Sequence, residues 1–190
     1  VAGAAVSAAV IETPRLVLRD WSEADIAPFI THTNTPAVMR WLGGPLPEAD
    51  IPDRLRARIM RWHGERGFTF WAVERKADKA LLGFCGIKIA DDAGSPVEGL
   101  YEIGWRLRED AWGQGYAKEA AIASLDFAFD RLGAPRVIAL TVTGNRASWG
   151  LMERLGMTRR ADLDYEGPAW AEGPIIVYEI EKAAWTAQRS

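Results

Sequence analysis

The chain holds one cysteine and two histidines among 190 residues. A lone Cys85 makes no disulfide within the chain and no cysteine-based zinc site. It sits in the apolar stretch Leu81-Leu82-Gly83-Phe84-Cys85-Gly86-Ile87, where a free thiol behaves as a small buried hydrophobe. His32 and His63 have no metal-ligand partner at useful spacing, so no metal is expected. No apolar run is long enough to span a bilayer, and residues 1–11, small and apolar, lack the positive leader of a signal peptide. They are expected to form a flexible arm. An excess of one charge is missing too: 23 Lys and Arg stand against 26 Asp and Glu, a net charge of -3. The basic residues are scattered, without the concentrated cationic surface that phosphate backbones require. The expectation is a cytoplasmic protein with neither nucleic acid nor membrane as partner.

What is there fits one domain, over residues 12–185, with a short tail at 186–190. Hydrophobic residues make up 48% of the chain and charged ones 26%, which suits a globular α/β protein. Arg15 to Arg19 reads as a first strand. Ser22 and Asp25 resemble a capping box, followed by Ile26, Phe29, Ile30 and Thr33 at helical spacing. Gly43-Gly44-Pro45 breaks the chain before a second helix with Ile51, Leu55, Ile59 and Trp62 on one face. Its Arg54, Arg56, Arg58 and Arg61 form a solvated flank.

Phe68 to Glu74, Leu81 to Ile89 and Leu100 to Leu107 read as three meandering strands. A long amphipathic helix from about Gly115 to Arg131 turns Ala121, Ile122, Leu125 and Phe129 inward and ends at Gly133 and Pro135. A buried strand, Arg136 to Val142, a short helix, Ala147 to Leu155, and two strands flanking Gly167 to Pro174 complete the order. The result is a mixed sheet flanked by helices.

Chemistry concentrates between Tyr101 and Lys118. A strand, Tyr101-Glu102-Ile103-Gly104-Trp105-Arg106-Leu107, leads through Gly113-Gln114-Gly115 into a helix beginning Tyr116-Ala117-Lys118. Such a turn aims unpaired N–H groups and a positive helix end at one spot, which suits a pyrophosphate. Local physics equally allows a tight connection. The Gly-Lys-Ser/Thr ending of a P-loop and the three spaced glycines of the dinucleotide fingerprint are both absent.

These stretches, with Thr13-Pro14-Arg15-Leu16-Val17-Leu18-Arg19, Asn145-Arg146-Ala147-Ser148 and Leu151-Met152-Glu153-Arg154-Leu155-Gly156-Met157, resemble the GNAT superfamily of N-acetyltransferases. The resemblance is to its RimJ/RimL-like subgroup, ribosomal-protein alanine acetyltransferases. It implies a single-domain fold whose mostly antiparallel sheet splays between its fourth and fifth strands, with acetyl-CoA wedged in the opening. The pyrophosphate is then expected on the backbone of Gln114, Gly115, Tyr116, Ala117 and Lys118, with Asn145 also at the cofactor. The N–H of Leu107 is expected to face the thioester oxygen. Two positions depart from the family pattern: Trp112 opens the turn in place of Gln or Arg, and Met152 stands where many members carry an acidic Tyr. Ser148 is the substitute acid, the alternative being that Asn145 only caps a helix with Ser148 in its first turn.

Glu102 is the candidate base, or a structural partner of Arg106 on an open face. Of nine tryptophans, Trp41 and Trp170 are the candidate walls of an acceptor pocket. The acidic loop Asp162 to Glu166 reads as a solvated hairpin in preference to an attractor of cations. A peptide N-terminal α-amine is the acceptor that the resemblance implies. A small amine (polyamine, amino acid or drug), a non-catalytic acyl-CoA-binding module and an unrelated nucleotide-binding domain are the other readings. A homodimer is expected from the related enzymes.

Overall fold

The structure, a computed structural model, describes residues 9–189. One eight-stranded sheet organises it. In chain order the strands are β1 (Ala9–Glu12), β2 (Leu16–Arg19), β3 (Phe70–Arg75), β4 (Leu81–Ile89), β5 (Tyr101–Leu107), β6 (Arg136–Val142), β7 (Thr158–Arg159) and β8 (Ile175–Glu181). Their spatial order is β1-β2-β3-β4-β5-β6-β8-β7. Every neighbouring pair is antiparallel except β5 with β6, which is parallel and meets at one register position, Glu102 opposite Ile138. The pair β4 and β5, by contrast, keeps register from Gly83 opposite Leu107 to Ile89 opposite Tyr101. The sheet therefore opens between β5 and β6, the splay expected between fourth and fifth strands.

Helices cover both faces, which explains why β4 is buried along nearly its whole length instead of alternating. On one face lies α5 (Tyr116–Asp130), burying Ala120, Ala121, Leu125 and Phe129 against Trp71, Cys85, Ile87 and Ile103. On the other lie α1 (Glu23–Thr33) and the turns that follow, with Phe29, Ile51 and Leu55 over Phe70, Ala72 and Phe84. Cys85 is a core residue, its thiol pushed up to about 12 by burial. Helix α1 starts where Asp25 Oδ2 accepts the Ser22 backbone N–H at 2.7 Å, the capping arrangement expected from their spacing.

Between α1 and β3 come α2 (Pro36–Met39), α3 (Ile51–Leu55), a π-helical turn over Arg56–Met60 and α4 (Arg61–Arg66). Arg56, Arg58 and Arg61 pair with Glu23, Asp91 and Glu65 at the surface, as a solvated flank should. The short helix beyond β6 is α6 (Arg146–Arg154), and the chain closes with α7 (Lys182–Arg189).

Three expectations need correction. Residues 9–11, assigned to the arm, belong to an edge strand because Ile11 and Glu12 pair with Leu18 and Val17 of β2; residues 1–8 lie outside the described residues. The tail from 186 continues α7, anchored by the buried Trp185, whose Nε1 donates to Asp126 at 2.9 Å. The Gly167–Pro174 loop is not flanked by two full strands. Its near side is the single bridge of Tyr165 to Ile175, and the short strand β7 lies further back.

Candidate active site

The turn before α5 forms a cradle of donors. Gly113 and Gly115 adopt φ of +72° and +81°, values at which a side chain is strained. Among the described residues, the backbone N–H groups from Gly113 to Lys118 donate to no backbone oxygen. The helical ladder begins only with Glu119 N–H to Gly115 O at 3.0 Å. Arg15, at the foot of β2, reaches across. It donates to the Gln114 carbonyl at 2.9 Å, pairs with Glu119 at 2.6 Å and lies 4.5 Å above the Tyr116 ring. The cluster of free N–H groups, the helix dipole and this guanidinium fit a pyrophosphate.

Strand β5 presents its edge to the opening. Arg108 N–H donates to Leu82 O at 2.8 Å, so the backbone groups of Arg106, Gly104 and Glu102 also face β4. Those of Leu107, Trp105 and Ile103 then face the side on which β6 has diverged. Trp112 Nε1 donates to the Leu107 carbonyl at 2.9 Å and ties the turn to the strand end. That bond gives Trp112 a structural use at its unusual position.

Glu102 sits at the one register position that pairs β5 with β6. It is buried, and its carboxyl is pushed up to about 7: burial drives it up, while the Lys88 charge pulls part of the way back. Lys88 lies opposite in register, its Nζ 3.1 Å from Glu102 Oε2, an ion pair not aligned as a hydrogen bond. Asp91, 2.5 Å away, holds the same ammonium and is itself paired with Arg58 at 2.9 Å. The expected alternative pairing of Glu102 with Arg106 is not formed, because the cross-strand neighbour is nearer than a residue four positions along the same strand. Lys88 was missed in the sequence; the alternation of charge with glycine in Gly86-Ile87-Lys88 is its only trace.

Asn145 caps α6, its Oδ1 accepting the Ser148 backbone N–H at 3.3 Å. Ser148 lies half-buried in the first turn, and Met152 is buried one turn on. Trp41 packs on the β6 exit, so close that a Cβ at Gly144 would stand 2.5 Å from its ring. Trp170 lies against Gly43, two residues from Trp41, at 3.0 Å from a notional Cβ there. The two tryptophans thus join the 40–46 turn to α6 and to the hairpin. In the acidic loop, Asp162 and Asp164 pair with Arg160 and Arg159, so part of its charge is offset locally. Among the described residues, no helix is long and apolar enough to cross a membrane.

A sheet opened between parallel neighbours, with a donor-lined helix start at the mouth and a buried carboxylate at the vertex, defines an acyl-CoA-dependent transferase. The chain belongs to the GNAT acetyltransferases: the sequence model of the Acetyltransferase (GNAT) domain matches residues 15–158, and the protein is an acetyl-CoA-dependent N-acetyltransferase. It is 32% identical over 173 residues to the uncharacterized protein YkkB of Bacillus subtilis (strain 168), covering 88% of this chain and 92% of that one. The uncharacterized N-acetyltransferase YnaD of the same strain is 30% identical over 150 residues, 78% of this chain and 82% of its own.

Two solved structures from Vibrio cholerae share the fold. One is assigned as a ribosomal-protein-serine acetyltransferase (TM-score 0.71, 20% identity, 90% of this chain and 96% of that one). The other is a spermidine N-acetyltransferase in complex with CoA and spermine (TM-score 0.70, 16% identity, 92% and 99%).

Proposed function

We propose that this enzyme acetylates an N-terminal α-amine of a peptide or protein, in the manner of the RimJ/RimL-like subgroup, with Glu102 as general base. The observation that carries the reading is a buried carboxyl with a pKa of about 7 at the vertex of the opening. An α-ammonium loses its proton near 7.7–8.0, within about one unit of that base, whereas a lysine-type ammonium lies near 10.4. Proton transfer to Glu102 is therefore close to balanced for an α-amine and about three units uphill for an alkylamine.

Acetyl-CoA supplies the activated thioester carbonyl. The backbone N–H groups of Gln114, Gly115, Tyr116, Ala117 and Lys118 hold its pyrophosphate, with Arg15 beside them. Leu107 N–H holds the carbonyl oxygen; one such donor contributes about 3 kcal/mol. Ser148 is the proton donor to the departing thiol, in the place of the absent Tyr, and Asn145 fixes the helix end that carries it. Trp41 and Trp170 wall the acceptor.

The test is thiol release from acetyl-CoA with three acceptors: a peptide with a free N-terminus, the same peptide N-blocked with an internal lysine, and spermidine. Release with the first alone is expected. Preference for spermidine or the blocked peptide overturns the α-amine reading.

A further inference from the structure

Arg106 is a core cation without a counter-ion. It lies on β5, on the same sheet face as Glu102, and among the described residues no carboxylate comes within ion-pairing distance of it. Arg19, on β2, has two such partners, Asp25 at 2.8 Å and Glu74 at 2.9 Å. The Arg106 guanidinium instead stands 5.3 Å from the centre of the Phe84 ring and 6.0 Å from that of Phe29. Its Nε is sealed from solvent and bonded to nothing. The two terminal nitrogens, equally without partners, are not sealed, and the residue keeps some exposure.

Burial lowers its pKa, to about 10, so the group is still charged at neutral pH. A planar cation resting beside two packed rings, with the tip of its fork not sealed from solvent, has the form of a carboxylate receptor. Leaving such a charge unpaired costs several kcal/mol, a cost that a bound anion removes.

The position gives the anion a length scale. Arg106 is four residues from Glu102 along an extended strand, about 13 Å between Cα atoms at ~3.3 Å per residue. Between them Gly104 has no side chain, and Phe70 occupies the space, 2.7 Å from a notional Cβ there. Two long side chains reaching off one face over that span fit a peptide's α-amine at one end and an acidic side chain within its first few residues at the other.

We propose that Arg106 is an anion-anchoring residue of the acceptor site, selecting peptides whose second or third residue is Asp or Glu. This rests on the α-amine reading and narrows it. A bidentate guanidinium–carboxylate contact in an enclosed site gives a preference of tenfold or more, corresponding to about 1.4 kcal/mol.

The experiment pairs two peptides identical except for Asp or Asn at position two, with wild type and Arg106→Met. Both KM for acetylation and calorimetric binding to the CoA-loaded protein are read, together with the melting temperature. In wild type the Asp peptide is expected to have the lower KM and Kd by about tenfold or more. In Arg106→Met the difference between peptides disappears, while the melting temperature holds or rises because an unpaired buried cation has gone. Equal KM and Kd for the two peptides in wild type, or a preference that survives in Arg106→Met, overturns the proposal. If neither peptide is acetylated, the α-amine reading fails, and the binding arm still decides: loss of the Asp preference in the variant supports Arg106, and its persistence refutes it.

Discussion

Lys88 Nζ lies 3.1 Å from Glu102 Oε2 across the β4–β5 pair, and both side chains are buried. Burial raises the carboxyl to about 7, and the lysine prevents the rise from going further. Lys88→Met removes the opposing charge, so the Glu102 pKa should climb. A base works only when ionised, so the rise of kcat/KM with pH, centred near 7 in wild type, should move to higher pH in Lys88→Met. Glu102→Gln should flatten it. A pH–rate profile that is the same in all three proteins removes Glu102 as base and Lys88 as its modulator.

The same group makes a stability prediction. A carboxyl whose folded pKa is raised from 4.5 to about 7 binds its proton more tightly in the folded state. Its contribution is fully present below about 4.5 and is lost as pH rises through about 7. Glu102→Gln should lose that downward slope. Denaturant melts between pH 4.5 and 7.5 would check it, and parallel pH dependence in the two proteins would show that Glu102 does not titrate in this window.

Gly115 stands at φ +81° at the head of α5, where the free N–H groups converge. Gly115→Asp should abolish calorimetric binding of CoA, because its carboxylate competes with the pyrophosphate for those donors and for Arg15, whose Nη2 lies 3.4 Å from the new Cβ. Gly115→Ala, with strain of roughly 1–2 kcal/mol and no charge, should weaken binding far less. Equal affinities for wild type and the Asp variant would mean the turn does not hold the cofactor.

The turn and β5 were legible because their signals are local. Glycine spacing and strand alternation act within about fifteen residues, and helix α5 came out within a residue or two of its expected ends. Residues whose place depends on distant partners were not. Strand β1 carries no turn signal of its own and exists by pairing with β2; α7 is fixed by Trp185 reaching Asp126. The Lys88–Glu102 pair depends on the register that the Asp91–Gly99 loop imposes, which no spacing in the sequence reveals. The seats of Trp41 and Trp170 on Gly144 and Gly43 likewise appear only in three dimensions.

Arg19 makes a bidentate pair with Asp25, at 2.8 and 2.9 Å, and a third bond to Glu74, joining β2, β3 and α1. Burial works against the Asp25 charge, but Arg19 and Ser22 outweigh it and hold its pKa below the ordinary carboxylate range. Arg19→Ala should destabilise by about 3 kcal/mol, since it leaves the enclosed Asp25 without a charged partner, while Glu74 keeps Lys79 at 3.4 Å. The Asp25 contribution is present above about 3.8 and is lost as pH falls through its folded pKa, so Asp25→Asn should narrow the gap to wild type in acid. Urea melts of the three proteins at pH 3 and 7 would check both. A loss under 1 kcal/mol for Arg19→Ala would show the cluster to be structurally idle.

Ser148 tests the chemistry of thiol release. Among the described residues its hydroxyl finds no hydrogen-bond partner, and the residue is half-buried, so Ser148→Ala should change stability by less than about 0.5 kcal/mol. If the hydroxyl protonates the departing thiolate, kcat should fall by roughly 10²-fold or more while the Kd for CoA stays put. Asn145→Ala separates that role from helix capping. Losing the 3.3 Å bond to Ser148 N–H should cost about 1 kcal/mol, and any drop in kcat should follow from a displaced Ser148. Single-turnover rates are the right readout, because product release can mask a slower chemical step. Full activity in Ser148→Ala would assign the proton to water, and a fall in Asn145→Ala alone would make the α6 cap a positioning element with no acid on it.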